Sequence, residues 1–243
     1  MQSKSFQISN AHLFSSYNVA FNLLSKFGLL VEHSKTEIFH FSRSHGILNT
    51  PLLDLSTIGS PILHPKETWR YLGFIFDRKL LFHQHIDFYT NKAISTVKCM
   101  KMLGNSMRGL SPHQKHLLYR SCALPIALYG FQMWFYTKAP LSYLLKILGK
   151  LQRYAALWIT GAFKTAPSLG IEVIASLIFI QLHLQKLSGR SELRVHALPD
   201  NHILQSLMAN NSNSTMHLHL LSLSLLTGCQ YGLIKGHLVD MDN

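Results

Sequence analysis

Lys35 and Glu37 flank Thr36 in the run EHSKTEIFHFSRS, Glu32 to Ser44. A lysine ammonium at a strand can stabilise negative charge growing on a phosphate, or protonate a leaving group. It can equally blunt an exposed strand edge by charge alone, with Glu37 expected to offset it there. Most partners for other chemistry are missing. The chain has 15 histidines, of which His83 and His85, His113 and His116, and His217 and His219 are close pairs. None has a Cys pair or carboxylates at a zinc spacing, so surface histidines and no metal site are expected. Cys99, Cys122 and Cys229 are odd in number and far apart, which argues against a disulfide framework and for a reducing compartment. A Gly-x-Ser-x-Gly elbow, a Walker loop and a Gly-x-Gly-x-x-Gly fingerprint are all absent from the sequence. As a self-contained enzyme the chain is poorly equipped.

Charge points elsewhere. Lys and Arg number 23 against 11 Asp and Glu, which makes a polyanion the first partner to consider. No acid falls between Asp87 and Glu172, a span that holds Lys98, Lys101, Lys146, Lys150 and Arg153 among other cations. Solvated basic surfaces usually intersperse both signs, so nucleic-acid contact is favoured over a plain amphipathic surface. The longest uncharged stretch, Ser121 to Thr137, contains Pro125, Gly130 and Gln132. It falls short of the roughly 20 apolar residues that span a bilayer, and a buried helix is expected instead. Met1 to Gln7 is polar and carries no secretory pattern, so a cytoplasmic or nuclear chain is expected.

The elements that must carry these residues follow from periodicity. The 243 residues are 47% hydrophobic, enough for a real core. Asn10 can cap a helix with apolar positions Leu13, Phe14, Tyr17, Ala20, Phe21, Leu24 and Phe27, ended by Gly28. Two short extended pieces follow, Leu29 to Val31 and Thr36 to Ser42, joined through His33 and Ser34, and then a loop rich in Pro and Gly. WRYLGFIFD, Trp69 to Asp77, reads as strand, with a turn near Arg78. After about His83 the pattern becomes helical. Ile86, Tyr89, Ala93, Val97 and Met100 form one stripe closed by Gly104. SPHQ, Ser111 to Gln114, carries a cap serine, a first-turn proline and a capping-box glutamine, while Pro125 must kink or end that helix. A helix from about Pro140 to Ile159 buries Leu144, Leu148, Leu151, Ala155 and Trp158. Lys186, Arg190 and Arg194 mark another helix, closed by Pro199. Ala209 to Leu226 has no clear period and reads as linker. The fold class expected is α+β, with 1–82 as a small sheet with a hairpin, 83–198 as a mainly helical region and 199–243 as linker.

The order of FGLLVEHSKTEIFHFS, the Pro/Gly loop, TWRYLGFIFDRKLLFHQHI, basic helices and LPIALYGFQMWF resembles the reverse transcriptase of non-LTR (LINE-type) retrotransposons. The resemblance implies the end of a polymerase palm, a thumb and a connector, with LIKGHLVDMDN, Leu233 to Asn243, leading towards an RNase H domain. It implies RNA, DNA or an RNA–DNA hybrid as partner, and no membrane. Lys35 matches a palm lysine near the incoming phosphates, a general acid for pyrophosphate release. Tyr71, Leu72 and Gly73 match the hairpin that grips the primer end. Polymerase chemistry also needs aspartates converging on two Mg2+ ions. In the family these precede the matched motifs, and Asp77, Asp87, Asp240 and Asp242 lack the strand-turn-strand setting. Expected, therefore, is a truncated fragment with its upstream segment missing, inactive alone, needing no cofactor and retaining sequence-independent nucleic-acid binding. The alternative is a basic helical interaction module without polymerase geometry. Palm strands without their neighbours are further expected to expose an apolar face.

Overall fold

A computed structural model of the chain describes residues 6–39, 41, 66–103, 109–135, 141–199, 202 and 234–240. The expected Pro/Gly loop, the closing Gly104, the Ala209 to Leu226 linker, Cys229, Asp242 and the His217/His219 pair lie outside these residues. The architecture is α+β and divides into two compact units, 1–80 with 225–243, and 81–224.

In the first unit, helix α1 runs from Phe6 to Lys26. It starts before Asn10, which is therefore interior and not a cap. Once a helix is nucleated, each added residue gains a backbone hydrogen bond at small cost, so the turn extends back to Phe6. Gly28 ends it as expected, with φ +73° and its N–H donating to the Ser25 carbonyl at 3.1 Å. Only part of the expected stripe packs. Tyr17 and Ile38 are buried together, with Leu13, Phe14, Phe21 and Val31 against them, whereas Phe27 is 73% exposed.

Strand β1, Leu29–Ile38, is continuous and not two pieces. The break expected at His33 and Ser34 survives as an irregular register between Glu32 and Glu37. Its antiparallel partner is β4, Ile234–Asp240, running from Leu29 opposite Asp240 to Ile38 opposite Ile234. This corrects the assignment of that segment to linker. IKGHLVD is short and glycine-containing, so its own pattern is weak, and pairing with β1 supplies the backbone hydrogen bonds.

Strands β2, Thr68–Tyr71, and β3, Phe74–Asp77, form a hairpin. Tyr71 pairs with Phe74, leaving Leu72 and Gly73 as a two-residue turn. Their φ values of +47° and +84° are those of a mirror-image type I turn, which suits the twist of paired strands. Trp69 and Phe76 are buried, as is Phe39. The Trp69 ring lies 6.1 Å from that of Phe39 and 5.7 Å from that of Phe76. The apolar face expected to lie open is therefore covered within the unit, because Phe39 reaches over the hairpin while its backbone bridges to Lys66.

The second unit is helical. Helix α2, His83–Met100, buries Ile86, Tyr89, Ala93, Val97 and Met100, the whole expected stripe, and also His85. The capping box of α3, Pro112–Leu118, forms as predicted. The Ser111 N–H donates to Gln114 Oε1 at 2.8 Å, and the Gln114 N–H to Ser111 Oγ at 3.3 Å. Pro125 lacks a backbone N–H, and the chain meets it with a widened π-turn, Tyr119–Ala123, before α4, Leu124–Ala127. Ser121 to Thr137 is consequently not one helix. After a turn through Gly130 it continues as α5, Phe131–Trp134. No helix among the described residues is long and apolar enough to cross a membrane.

Helix α6, Leu141–Thr160, is the hub of this unit, packing on α2 and α3 as well as on α7, Ser168–Ile174, and α8, Ile180–His196. Leu144, Leu148, Leu151 and Ala155 are buried in its inward face. Gln152, also buried, donates to Glu172 Oε2 at 3.0 Å and to the Ile178 carbonyl at 3.1 Å, tying α6 to α7 and to the segment beyond it.

Candidate nucleic-acid interface

Helix α6 places Lys146, Lys150 and Tyr154 in one row, because residues four apart lie on the same helical face. Both lysines are exposed, and neither has an ion-pair partner among the described residues. Lys101, just past the end of α2, sets its ammonium 4.0 Å from the centre of the Tyr154 ring. That contact of a cation with an aromatic face brings Lys101 to the stretch of α6 that carries Lys150. Lys98 stands one turn before Lys101 and is exposed. Lys146, Lys150 and, through Tyr154, Lys101 thus follow one strip of α6, and Lys98 stands a helical turn earlier on α2, all in the acid-free part of the sequence.

Arg153 does not join them. Its guanidinium donates to the carbonyls of Ala166 and Lys164 and to Ser168 Oγ, holding the connection from α6 to α7. The recurrence of Lys146, Lys150 and Arg153 in the sequence mixes a solvent-facing pair with a cation committed to backbone acceptors. Arginine's planar fork suits such multiple acceptance.

Lys35 and the Tyr71–Gly73 turn, the other residues singled out in the sequence, lie in the unit formed by 1–80 and 225–243. Lys35 Nζ pairs with Glu32 Oε2 at 2.6 Å, while Glu37 pairs with Lys66. Glu37 is therefore not the partner of Lys35. The two side chains are two apart on a strand, and Lys66 is brought in by the bridge from Phe39. Thr36 is buried, and its hydroxyl donates to the Glu32 carbonyl at 3.3 Å. Tyr71 is half-buried at the hairpin end and its ring stacks 4.9 Å from Trp69. Leu72 is 73% exposed at the turn tip in a left-handed conformation that costs a side-chain-bearing residue about 1–2 kcal/mol.

Among the described residues no three His, Cys, Asp or Glu side chains come together as a metal-ligand set. Asp87, on α2, accepts a 2.8 Å hydrogen bond from Tyr143 Oη, which holds that phenol above its ordinary proton affinity. His85, expected at the surface, is a core residue with Nε2 3.1 Å from the Tyr129 carbonyl, and burial lowers its pKa.

A second basic feature was not apparent in the sequence. The chain turning from α3 into α4, together with α6 and α8, walls a cleft of about 100 Å³ lined by His116, Tyr119, Arg120, Lys186, His183 and Arg190 over an apolar floor. The i, i+4 spacing within His116/Arg120 and Lys186/Arg190 is legible in the sequence, but nothing there says that the two pairs face each other.

Comparison with known proteins gives one direction. No family model matches the chain, and no solved structure matches it. Over 89 residues it is 29% identical to a probable RNA-directed DNA polymerase from transposon BS of Drosophila melanogaster. That alignment takes in 34% of this chain and 10% of the relative, so the chain spans about a tenth of the protein it matches. Over a third of its length, then, the chain is similar to a transposon RNA-directed DNA polymerase.

Proposed function

We propose that the chain is the palm-end, thumb and connector portion of a non-LTR retrotransposon reverse transcriptase, binding nucleic acid without sequence preference and not polymerising by itself. The observation that supports this is the lysine strip of Lys98, Lys101, Lys146 and Lys150, in a chain that over about a third of its length is similar to a transposon RNA-directed DNA polymerase. Closely placed ammonium groups displace condensed counterions from a phosphate backbone, which gives salt-dependent and sequence-independent affinity. In the same reading Leu72 and Gly73 present a turn tip to a primer end. On this reading Lys35, exposed and tethered to Glu32, corresponds to the palm lysine that meets phosphates in the family. Its proton-donating role would need the aspartate-bound magnesium of an intact polymerase.

The test is fluorescence anisotropy with a labelled RNA–DNA hybrid across a salt series. Affinity is expected to fall linearly on log axes, and Lys146→Ala or Lys150→Ala should each reduce the slope by about 1. A salt-independent signal, or none, would overturn the proposal.

The exposed Leu169, Val173 and Ile174 of α7 favour a second reading, a basic helical interaction module that docks a protein. Preference for a recessed primer-template end over a blunt duplex supports the polymerase reading, and equal binding supports the module.

A further inference from the structure

We infer that the cleft between the α3–α4 turn, α6 and α8 is a phosphate-binding site, separate from the lysine strip. Two observations point the same way. The first is charge. Arg120 from the π-turn and Lys186 and Arg190 from α8 line the cleft, and none of the three makes an ion pair or hydrogen bond among the described residues. The lining includes no carboxylate. The three cations are close enough to depress the proton affinity of His183, after burial, the largest cause. Glu172 lies behind the lining, its carboxylate held by Gln152 at 3.0 Å, and among the described residues it pairs with none of the three; like charges so gathered repel one another, and an anion relieves that repulsion.

The second observation is the kind of donor. Arg120 and Arg190 bring two guanidinium groups to one cleft from separate elements, the π-turn and α8, and arginine's fork is matched to phosphate oxygens.

Size narrows the ligand. Pockets for drug-sized molecules run from roughly 300 to 1,000 Å³, so a cleft of about 100 Å³ matches a phosphate or pyrophosphate group. The phosphate comes either from a nucleic-acid strand, a source that rests on the reading proposed above, or from a free small phosphate.

Calorimetry on the full chain with inorganic pyrophosphate, and anisotropy with a labelled RNA–DNA hybrid, test this together. Lys186→Ala combined with Arg190→Ala should weaken pyrophosphate binding at least tenfold, since each charge-assisted contact is worth about a factor of ten. Arg194→Ala removes a like charge from the same helix outside the cleft and should change it less than twofold. Arg120→Gln, an exposed change on the π-turn, should weaken it about threefold or more without lowering the melting temperature. That variant carries the test if the double substitution unfolds the unit. A parallel loss of hybrid binding in the double variant supports a nucleic-acid phosphate, and intact hybrid binding supports a free phosphate. If the chain binds no hybrid at all yet loses pyrophosphate in these variants, the polymerase reading fails and the cleft stands. Absence of pyrophosphate binding, or equal losses from Arg194→Ala, would overturn the site.

Discussion

The two units bury their apolar surface in different ways. In unit 81–224, α6 is contacted from several sides, and Leu144, Leu148, Leu151, Ala155 and Ala156 of that one helix are almost wholly buried. In the unit formed by 1–80 and 225–243, each sheet has two strands among the described residues. Tyr17 with Ile38 forms one buried cluster, and Phe39, Trp69 and Phe76 are buried about the hairpin. A two-stranded sheet has no interior strand, so its stability depends on what covers its face. The basic strip and the cleft both belong to the helical unit, where the backbone is fixed by packing. The residues that resemble a palm belong to the unit with less support.

The largest expected effect separates the units directly. Trp134 of α5 is 1% exposed, and its indole N–H donates to the Tyr129 carbonyl at 3.2 Å. Trp134→Ala should cost about 3–5 kcal/mol and lower the midpoint of the helical circular dichroism signal. Trp69 is equally buried in the hairpin, yet Trp69→Ala should leave that midpoint nearly in place and instead abolish the aromatic near-ultraviolet signal of its ring cluster. Equal shifts of the helical midpoint from both substitutions would break the comparison.

Acid should tell the units apart by a smaller margin. His85, His116 and His183 all lie in the helical unit, and burial lowers the proton affinity of each below the ordinary value of 6.5. A depressed histidine contributes stability above its unfolded pKa, because the unfolded chain binds protons that the folded one refuses. That contribution fades as pH falls through about 6.5. Glu172, raised by burial, acts with the opposite sign, but it is one group set against three histidines. The helical midpoint should therefore drop between pH 7.5 and pH 5.5. A flat profile over that window would show that the three histidines are not held neutral by packing.

How much was legible in the sequence varies with how local the cause is. The stripe of α2, the box at Ser111 and the terminating Gly28 are set by neighbours three or four residues away, and each is found where the pattern puts it. The widened turn at Tyr119–Ala123 was half legible. Pro125 announces a disturbance but not whether the helix kinks, ends or widens. The pairing of β1 with β4 joins residues two hundred positions apart, which no local pattern specifies. The site divides the same way. Spacing put Lys146, Lys150 and Arg153 on one helix, but only the acceptors on the α6–α7 connection remove Arg153 from the strip. The cleft went unseen because His116 and Arg120 meet Lys186 and Arg190 through packing around α6.

The smallest expected effect tests local against tertiary support inside the helical unit itself. Helix α3 has seven residues and no buried side chain, far short of the length at which an isolated helix persists in water. Its start rests on the paired hydrogen bonds of Ser111 and Gln114 and on Pro112, which has no N–H to leave unsatisfied. Ser111→Ala should cost about 1 kcal/mol, and Gln114→Ala, which leaves the serine cap intact, should cost less. Because α3 runs without a break into Tyr119 and Arg120, the loss should appear in hydrogen exchange as faster opening of the amides from Gln114 to Arg120. Amides in the middle of α6, protected by the core, should hardly change. If the α3 amides exchange at the original rate in Ser111→Ala, the helix is held by its packing against α6 and not by its cap. The cleft wall would then be as rigid as the core behind it.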